Sequence, residues 1–411
     1  MRILFFSHYF PPEGNAPASR TYEHCVRWVQ AGHDVTVITC VPNVPNGIPY
    51  EGYHNRLRSQ HEVIDGIRVI RVWTWLAANA GFALRILNYL SFLLFAFWQS
   101  WFVKRPDVVI ATSPQFFCGW AGVLTRWFRR VPFVLEIRDI WPESITAVGA
   151  MKRGLVIRFL EFLERRMYLA ADHIVTVGIG YRDQIVAKVP VQGRISTIYN
   201  GVDGVQFAPA LPDESLRKSW GMDGRFVCSY VGTIGMAHQL ETVIEAAAQL
   251  KQQNRNDIGF VLVGDGARRE FLEQLNDREQ TSDLVHFTGR IPKADIPRVL
   301  ATSDALLVHL RKSDLFTTVI PSKIFEAMAM ERPIVMGVAG ESCEIVLRAE
   351  AGLAMTPGNP HELLNACQQL QNDTKLLQSL RKNGRRFVLS EFNRDQLAAD
   401  YLDVLAQVSK V

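Results

Sequence analysis

Phe226 to Val263 read FVCSYVGTIGMAHQLETVIEAAAQLKQQNRNDIGFVLV. Phe226–Val231 is an apolar run of strand length, rich in β-branched and aromatic residues. Gly232-Thr233-Ile234-Gly235 interrupts it. Gln239–Leu250 then carries Leu240, Val243, Ile244 and Ala247 at helical spacing, and Gly259–Val263 is a second apolar run. A strand, a glycine loop, a helix and a strand make one parallel crossover unit.

The same rhythm extends in both directions. Toward the C-terminus come strands at Val285–Phe287, Ala305–His309 and Pro333–Met336, with a helix starting at Ser322. Toward the N-terminus, strands are expected at Arg2–Ser7, Asp34–Cys40, Gly66–Trp73, Asp107–Thr112, Phe133–Ile137, Asp172–Val177 and Ile195–Tyr199. A helix is expected over Arg20–Ala31, closed by Gly32. The rhythm breaks at Asn200-Gly201-Val202-Asp203 and in the polar stretch through Pro212. The expected fold class is therefore α/β, with two doubly wound parallel sheets in tandem and a boundary near residue 203.

The chain has 411 residues, 48% apolar and 21% charged, which excludes a disordered tail, a fibre and a disulfide mini-protein. Its net charge of +4 is too balanced for a dedicated nucleic-acid binder. The charge is unevenly spread. Residues 1–200 hold 22 Lys and Arg against 14 Asp and Glu, and the remainder hold 23 against 27. The first half is thus expected to meet something anionic. The six cysteines are scattered without a C-x-x-C, as free thiols in a reducing compartment would be. Ile3–Phe6 is too short for an export signal.

Ile86–Val103 carries no charge and reaches the lower length limit of a spanning helix. It also contains seven aromatics, and Asn88, Ser91 and Gln99 fall roughly on one helical stripe. Three readings stand at this point: a transmembrane helix, an ordinary buried helix, and a helix that packs while dipping into a membrane surface. Arg126, Arg129 and Arg130 beside Trp120 and Trp127 add a second basic-aromatic edge. The expected location is peripheral, on the cytoplasmic face of the cell membrane.

Ligands of open α/β sheets bind at the carboxyl ends of strands, so those loops carry the candidates. His8 to Asn15 follows the first strand, where Gly14-Asn15 tolerates positive φ and close backbone approach. Gly232–Gly235 leads toward a helix whose free amides suit a phosphate, without the lysine of a P-loop. Val263-Gly264-Asp265-Gly266 is a further glycine loop. Thr317 to Lys323 crowds hydroxyls and a cation at a helix start, which suits a pyrophosphate, and Glu326 lies one turn on, in reach of a ribose diol. Arg138-Asp139-Ile140-Trp141-Pro142-Glu143 places charges directly after an apolar strand, facing a crevice or forming a structural ion pair. No D-x-D, H-x-x-x-H or G-x-S-x-G occurs, which removes metal and serine hydrolases.

These stretches, with Asn200-Gly201-Val202-Asp203, Phe287-Thr288-Gly289 and Pro321-Ser322-Lys323-Ile324-Phe325-Glu326, occur in an order that resembles family 4 glycosyltransferases of the GT-B fold. More narrowly, they resemble the bacterial branch that builds surface polysaccharides and O-antigens. The resemblance implies two Rossmann-like domains facing a crevice: an acceptor-side domain over 1–203, a nucleotide-sugar domain over 204–390, and a helix over 391–411 returning to the first. It implies metal-independent, retaining transfer from a nucleotide-diphosphate sugar, UDP-linked, to a polyprenyl-diphosphate-linked or glycan acceptor. No cofactor, metal or nucleic-acid partner is implied. By position, Gly14 and Asn15 approach the donor phosphates, and Gly232, Thr233, Gly235 and Gly264 line the same crevice. Arg290 and Ile291 lie by the base, Ser322 and Glu326 hold the nucleotide, and Arg138, Asp139 and Lys323 serve the reaction.

The chain departs from that pattern at several positions. Gly14-Asn15 stands for the usual Gly-Gly, and Arg138-Asp139 for the usual His-Asp. Thr318 stands where many members carry the first of two glutamates, the one that reads the donor hexose. His238 and Gln239 occupy the region of the usual phosphate cations, which leaves Lys323 as the substitute. Two other functions fit the same two-domain architecture, a nucleotide-sugar 2-epimerase and a non-catalytic sugar-nucleotide-binding subunit of an envelope assembly.

Overall fold

The computed structural model describes every residue except 45, 78–81, 144–153 and 411. The chain divides into two compact units, Met1–Asn200 with Arg394–Val411, and Gly201–Asn393.

In the first unit β1 (Arg2–Phe6), β2 (Asp34–Cys40), β3 (Gln60–Ile64), β4 (Ile67–Val72), β5 (Val108–Thr112), β6 (Phe133–Ile137), β7 (His173–Thr176) and β8 (Ile195–Thr197) form one sheet. Its order is β3-β4-β2-β1-β5-β6-β7-β8. All neighbours are parallel except β3 and β4. The apolar runs are continuous because both faces are covered. On β1, Leu4 and Phe6 enter one core with Phe92 and Leu160, and Ile3 and Phe5 enter another with Trp28 and Tyr401. Strand β3 was not among the expected strands. It joins β4 through Asp65-Gly66, both at positive φ (48° and 81°), with Ile64 paired to Ile67. Asp-Gly between apolar residues is the usual signal of a two-residue hairpin turn.

Helix α1 (Ala16–Gln30) starts four residues before the expected Arg20, because Asn15 caps it and Pro17 is tolerated in a first turn. Further helices of this unit include α2 (Phe82–Ser100), α3 (Phe116–Arg129), α4 (Leu155–Ala170) and α5 (Ile179–Lys188). Among the described residues no helix is long and apolar enough to cross a membrane, so the spanning reading of Ile86–Val103 is set aside. The polar stripe of α2 points inward. Asn88 Nδ2 donates to Trp75 O at 2.8 Å, and Ser91 Oγ accepts from Trp75 N at 2.8 Å. Leu84, Leu87, Leu90, Leu94 and Trp98 are left exposed.

The second unit contains β9 (Phe226–Val231), β10 (Ile258–Val263), β11 (Val285–Gly289), β12 (Ala305–His309), β13 (Ile334–Gly337) and β14 (Gly352–Ala354). The strands form a parallel sheet of order β11-β10-β9-β12-β13-β14. Its helices include α6 (Glu214–Ser219), α7 (Glu241–Gln252), α8 (Arg269–Arg278), α9 (Ile296–Thr302), α10 (Lys323–Ala329), α11 (Glu341–Arg348), α12 (Pro360–Asn372) and α13 (Thr374–Glu391). Helix α7 begins two residues after the expected Gln239, whose φ of 45° is left-handed. Helix α14 (Arg394–Ser409) closes the chain and belongs to the first unit, where Trp28 Nε1 donates to Ala398 O at 3.0 Å and Tyr401 packs on His24 and Trp28.

Candidate functional site

Backbone bonds stitch together the carboxyl ends of β9, β10 and β11. Gly232 N donates to Val263 O, Ile234 N to Asp265 O and Gly264 N to Gly289 O, at 2.9, 3.0 and 2.9 Å. A Cβ on Gly264 (φ +140°) would lie 1.8 Å from Gly232 O, and one on Gly266 2.4 Å from Ile234 O. Glycine at these positions lets one loop lie directly on the next. The expected row of free amides is thus halved. Gly232 and Ile234 are engaged in the fold, while the amides of Thr233 and Gly235 have no hydrogen bond among the described residues.

Lys323 is brought to this loop. A Cβ on Gly232 would lie 2.7 Å from Lys323 Nζ, so glycine there makes room for the ammonium. Nζ sits 4.0 Å from the centroid of the Tyr230 ring, a cation–π contact. Burial lowers the Lys323 pKa to about 8, and the Glu326 carboxylate one turn on acts weakly against that. No acceptor bonds to Nζ among the described residues. Tyr230, buried at the end of β9, also donates its hydroxyl to Thr233 O at 2.8 Å. It therefore supports both the loop and the lysine. The signal in the sequence was a lone phenol at the end of an apolar strand, where a hydroxyl needs a partner.

His238 is not a second cation. Burial, then the Lys323 charge, lowers its pKa to about 4, and its buried Nδ1 has no partner. His309, at the end of β12, is also held neutral by burial. Its Nε2 accepts from Gly358 N at 2.8 Å, so its proton is on Nδ1 and is donated to His238 O at 2.7 Å. It ties the 235–239 loop to residues 356–359.

Helix α10 is only seven residues long, and Ser322 makes no side-chain cap bond. Ser322 and Glu326 are half-buried. Thr318 closes a 3₁₀ turn at Asp314–Thr318. Arg290 is exposed, and Ile291 packs against Trp220, Met222 and Val263.

In the first unit the expected residues are drawn into the scaffold. Gly14 is exposed with nothing within 4 Å of a Cβ position, and Asn15, at φ −79°, accepts from Ala18 N at 2.9 Å. Neither Gly14 nor Asn15 takes the positive φ that the pair would tolerate. Arg138 forms no structural ion pair among the described residues. Its guanidinium donates to Ala16 O and Pro17 O, both at 3.1 Å, and burial lowers its pKa to about 10. The backbone amides of Arg138 and Asp139 share Ser113 Oγ, at 2.7 and 3.2 Å. Glu13 is buried and accepts from Asn43 N and Val44 N, and burial raises its pKa. The sequence reading passed over the buried pair of Arg20 and Glu136 (3.2 Å), in which Arg20 also donates to Ile198 O, Tyr199 O and Asn200 Oδ1. No group of three or more His, Cys, Asp or Glu that could hold a metal exists among the described residues.

Known proteins resemble this chain half by half. The glycosyl transferase 4-like domain matches residues 15–201, and the glycosyl transferases group 1 family matches residues 212–387. An alpha-D-kanosaminyltransferase of Streptomyces kanamyceticus is 28% identical over 46% of this chain and 48% of its own, so the match spans about half of that relative. An Escherichia coli (strain K12) protein provisionally named a colanic acid biosynthesis glycosyl transferase is 25% identical over 80% of this chain and 81% of its own. Among solved structures, sucrose-phosphate synthase of Thermosynechococcus elongatus superposes with a TM-score of 0.78 at 18% identity, covering 99% of both chains. The Anabaena HepE protein in complex with UDP-glucose gives 0.72 at 19%, covering 99% of this chain and 100% of that one. The fold is GT-B.

Proposed function

From the premise that the chain carries a glycosyl transferase 4-like domain followed by a glycosyl transferases group 1 domain, we propose that it is a retaining, metal-independent glycosyltransferase. It moves a sugar from a UDP-linked donor to a polyprenyl-diphosphate-linked glycan in envelope polysaccharide synthesis. The observation that carries the reading is Lys323, a half-buried residue whose ammonium is held against Gly232 and the Tyr230 ring with no acceptor bonded to it among the described residues. An unneutralised buried cation is costly to folding and is matched by an anionic ligand. The UDP-glucose complex of the HepE relative and the name of the Escherichia coli relative support the donor class and the pathway class.

In this reading the donor diphosphate lies on Lys323 and the amides of Thr233 and Gly235. These groups stabilise the charge that develops on the leaving diphosphate. Glu326 accepts from the ribose hydroxyls, and Arg290 and Ile291 flank the base. The anomeric carbon becomes oxocarbenium-like as its bond to oxygen lengthens. On front-face attack the departing phosphate oxygen takes the acceptor's proton, so no further base is needed. Arg138 acts by holding the start of α1, which follows directly on Gly14-Asn15. The protein works as a peripheral protein on the cytoplasmic face of the membrane, reached through the basic first half.

Donor consumption tests the reading. Nucleotide release that requires acceptor and survives EDTA supports it. Donor conversion without acceptor would mean an epimerase, and donor binding without any turnover a non-catalytic subunit.

A further inference from the structure

We propose that helix α4 is a membrane-contacting element, and that α2 and α4, set on either side of α3, form one two-armed footing on an anionic phospholipid bilayer. The inference deepens the membrane reading above and rests on it.

Helices α2, α3 and α4 pack on the same core, where Phe92 and Ala96, Ala121 and Val123, and Ile157, Leu160 and Met167 join one cluster with Leu4 and Phe6 of β1. They therefore cover one face of the eight-stranded sheet. Helix α4 has its polar and apolar sides arranged like those of α2. Its carboxylate Glu164 is turned inward, bonded to Tyr168 Oη at 2.7 Å and Lys188 Nζ at 2.8 Å. Its outward positions carry Leu155, Val156, Phe159, Phe162 and Leu169, with Leu155 83%, Phe159 59% and Phe162 51% exposed. On α2, Leu94 is 62% and Trp98 64% exposed. Trp127 and Phe128, at the end of α3, are exposed between these two arms. An apolar surface of this extent marks a partner, since isolated exposed side chains alone would be unremarked.

The charge on these helices identifies the partner. Together α2, α3 and α4 contain Arg85, Arg126, Arg129, Arg158, Arg165 and Arg166 against Glu161 and the inward Glu164. Arg126 is tied to Asp172, and Arg129 to the carbonyls of Ser100 and Val103. Arg158 and Arg165 are exposed beside the apolar stripe, and Arg166 lies 5.2 Å over the Phe162 ring. Apolar side chains flanked by arginines match an acyl layer beneath anionic headgroups. A second copy of the same basic face would repel it.

The test uses the full chain and two environment-sensitive labels. Cys25, Cys40, Cys118, Cys228 and Cys367 are buried, so a Cys343→Ser background leaves an introduced thiol as the reactive one. Labels are placed at Phe159→Cys and, separately, Leu94→Cys. With vesicles of phosphatidylcholine and phosphatidylglycerol at about 7:3, both labels are expected to shift to the blue, and less as salt rises. Phe159→Ser with Phe162→Ser is expected to lower the vesicle-bound fraction at least fivefold in flotation, with unchanged turnover of a water-soluble acceptor. A blue shift at 94 without one at 159 overturns the role of α4 and leaves the membrane reading intact. No binding to these vesicles removes both. A shift at 159 that depends on protein concentration and not on vesicles assigns the face to self-association and also overturns the proposal.

Discussion

The strand-end loops of the two units handle charge in opposite ways. In the first unit, Glu13 takes the amides of Asn43 and Val44, the Arg138 guanidinium donates to the carbonyls of Ala16 and Pro17, and Asn15 caps α1. In the second unit, glycines let the loops lie on one another and a lysine is held over an aromatic ring with no ion pair or hydrogen bond at its ammonium among the described residues. A buried group already satisfied by the fold contributes mainly to stability, whereas a buried charge left unmatched favours a ligand that completes it. Under the proposed function, the first loop positions and the second binds.

The largest effect is expected at Gly264. Gly264→Ala forces a Cβ to 1.8 Å from Gly232 O at a φ of +140°, and destabilisation of about 4 kcal/mol follows. Denaturant unfolding measures it. A change below about 1 kcal/mol would mean that the two loops are not rigidly stacked.

Next is Lys323→Met. It should lower kcat/KM by about 100- to 1,000-fold, the range for loss of one group stabilising a developing anion. Thermal stability should hold or rise, since a desolvated charge is removed. A fall in melting temperature with unchanged kcat/KM would break the contrast between the units. Glu326→Ala should weaken binding of the bare nucleoside diphosphate by about 1.5–3 kcal/mol, read by calorimetry. Unchanged affinity in a folded variant removes the ribose role.

In the first unit the signs invert. Arg138→Met should destabilise by about 1–3 kcal/mol because two helix-start carbonyls lose their donor. Its effect on kcat/KM should stay smaller than that of Lys323→Met. An Arg138 variant with wild-type stability and lost turnover would place Arg138 in the chemistry.

The smallest effect is in pH dependence. Lys323 titrates near 8 in the folded protein and near its ordinary value of 10.5 when unfolded. Between those values the unfolded state holds more protons, so stability without ligand rises with pH across that window and is flat in this group below it. Donor affinity should run the other way, falling up to tenfold per pH unit above about 8 as the ammonium is lost. Both slopes should vanish in Lys323→Met.

Several parts of this organisation were readable from residues alone. The alternating apolar runs identify the strands of both sheets except β3 and the short edge strand β14, and the break at Asn200–Asp203 lies beside the division between the units. The hairpin of β3 and β4 was also legible, since Asp65-Gly66 carries its turn, but the weak alternation of Gln60–Ile64 hides the strand. The Lys323–Gly232 contact was not legible. Ninety residues separate the two, and nothing local relates a helix start to a distant glycine.

Helix α2 marks the limit between the two kinds of information. Periodicity alone identified a helix there, with Asn88 and Ser91 near one stripe, because the repeat of a helix is a local property of the backbone. Which stripe faces the protein was decided by packing. The Trp75 backbone supplies a donor and an acceptor that Ser91 and Asn88 satisfy, so these two polar residues are buried and Leu84, Leu87, Leu90 and Leu94 remain outside. The same holds for charge. The sequence determined that the first half is basic and that Lys323 follows Ser322, but tertiary structure alone decided which cations would be consumed by carbonyls and which would be left facing a site. Hydrogen-bond satisfaction depends on the three-dimensional neighbours of each buried polar group, not on its neighbours along the chain.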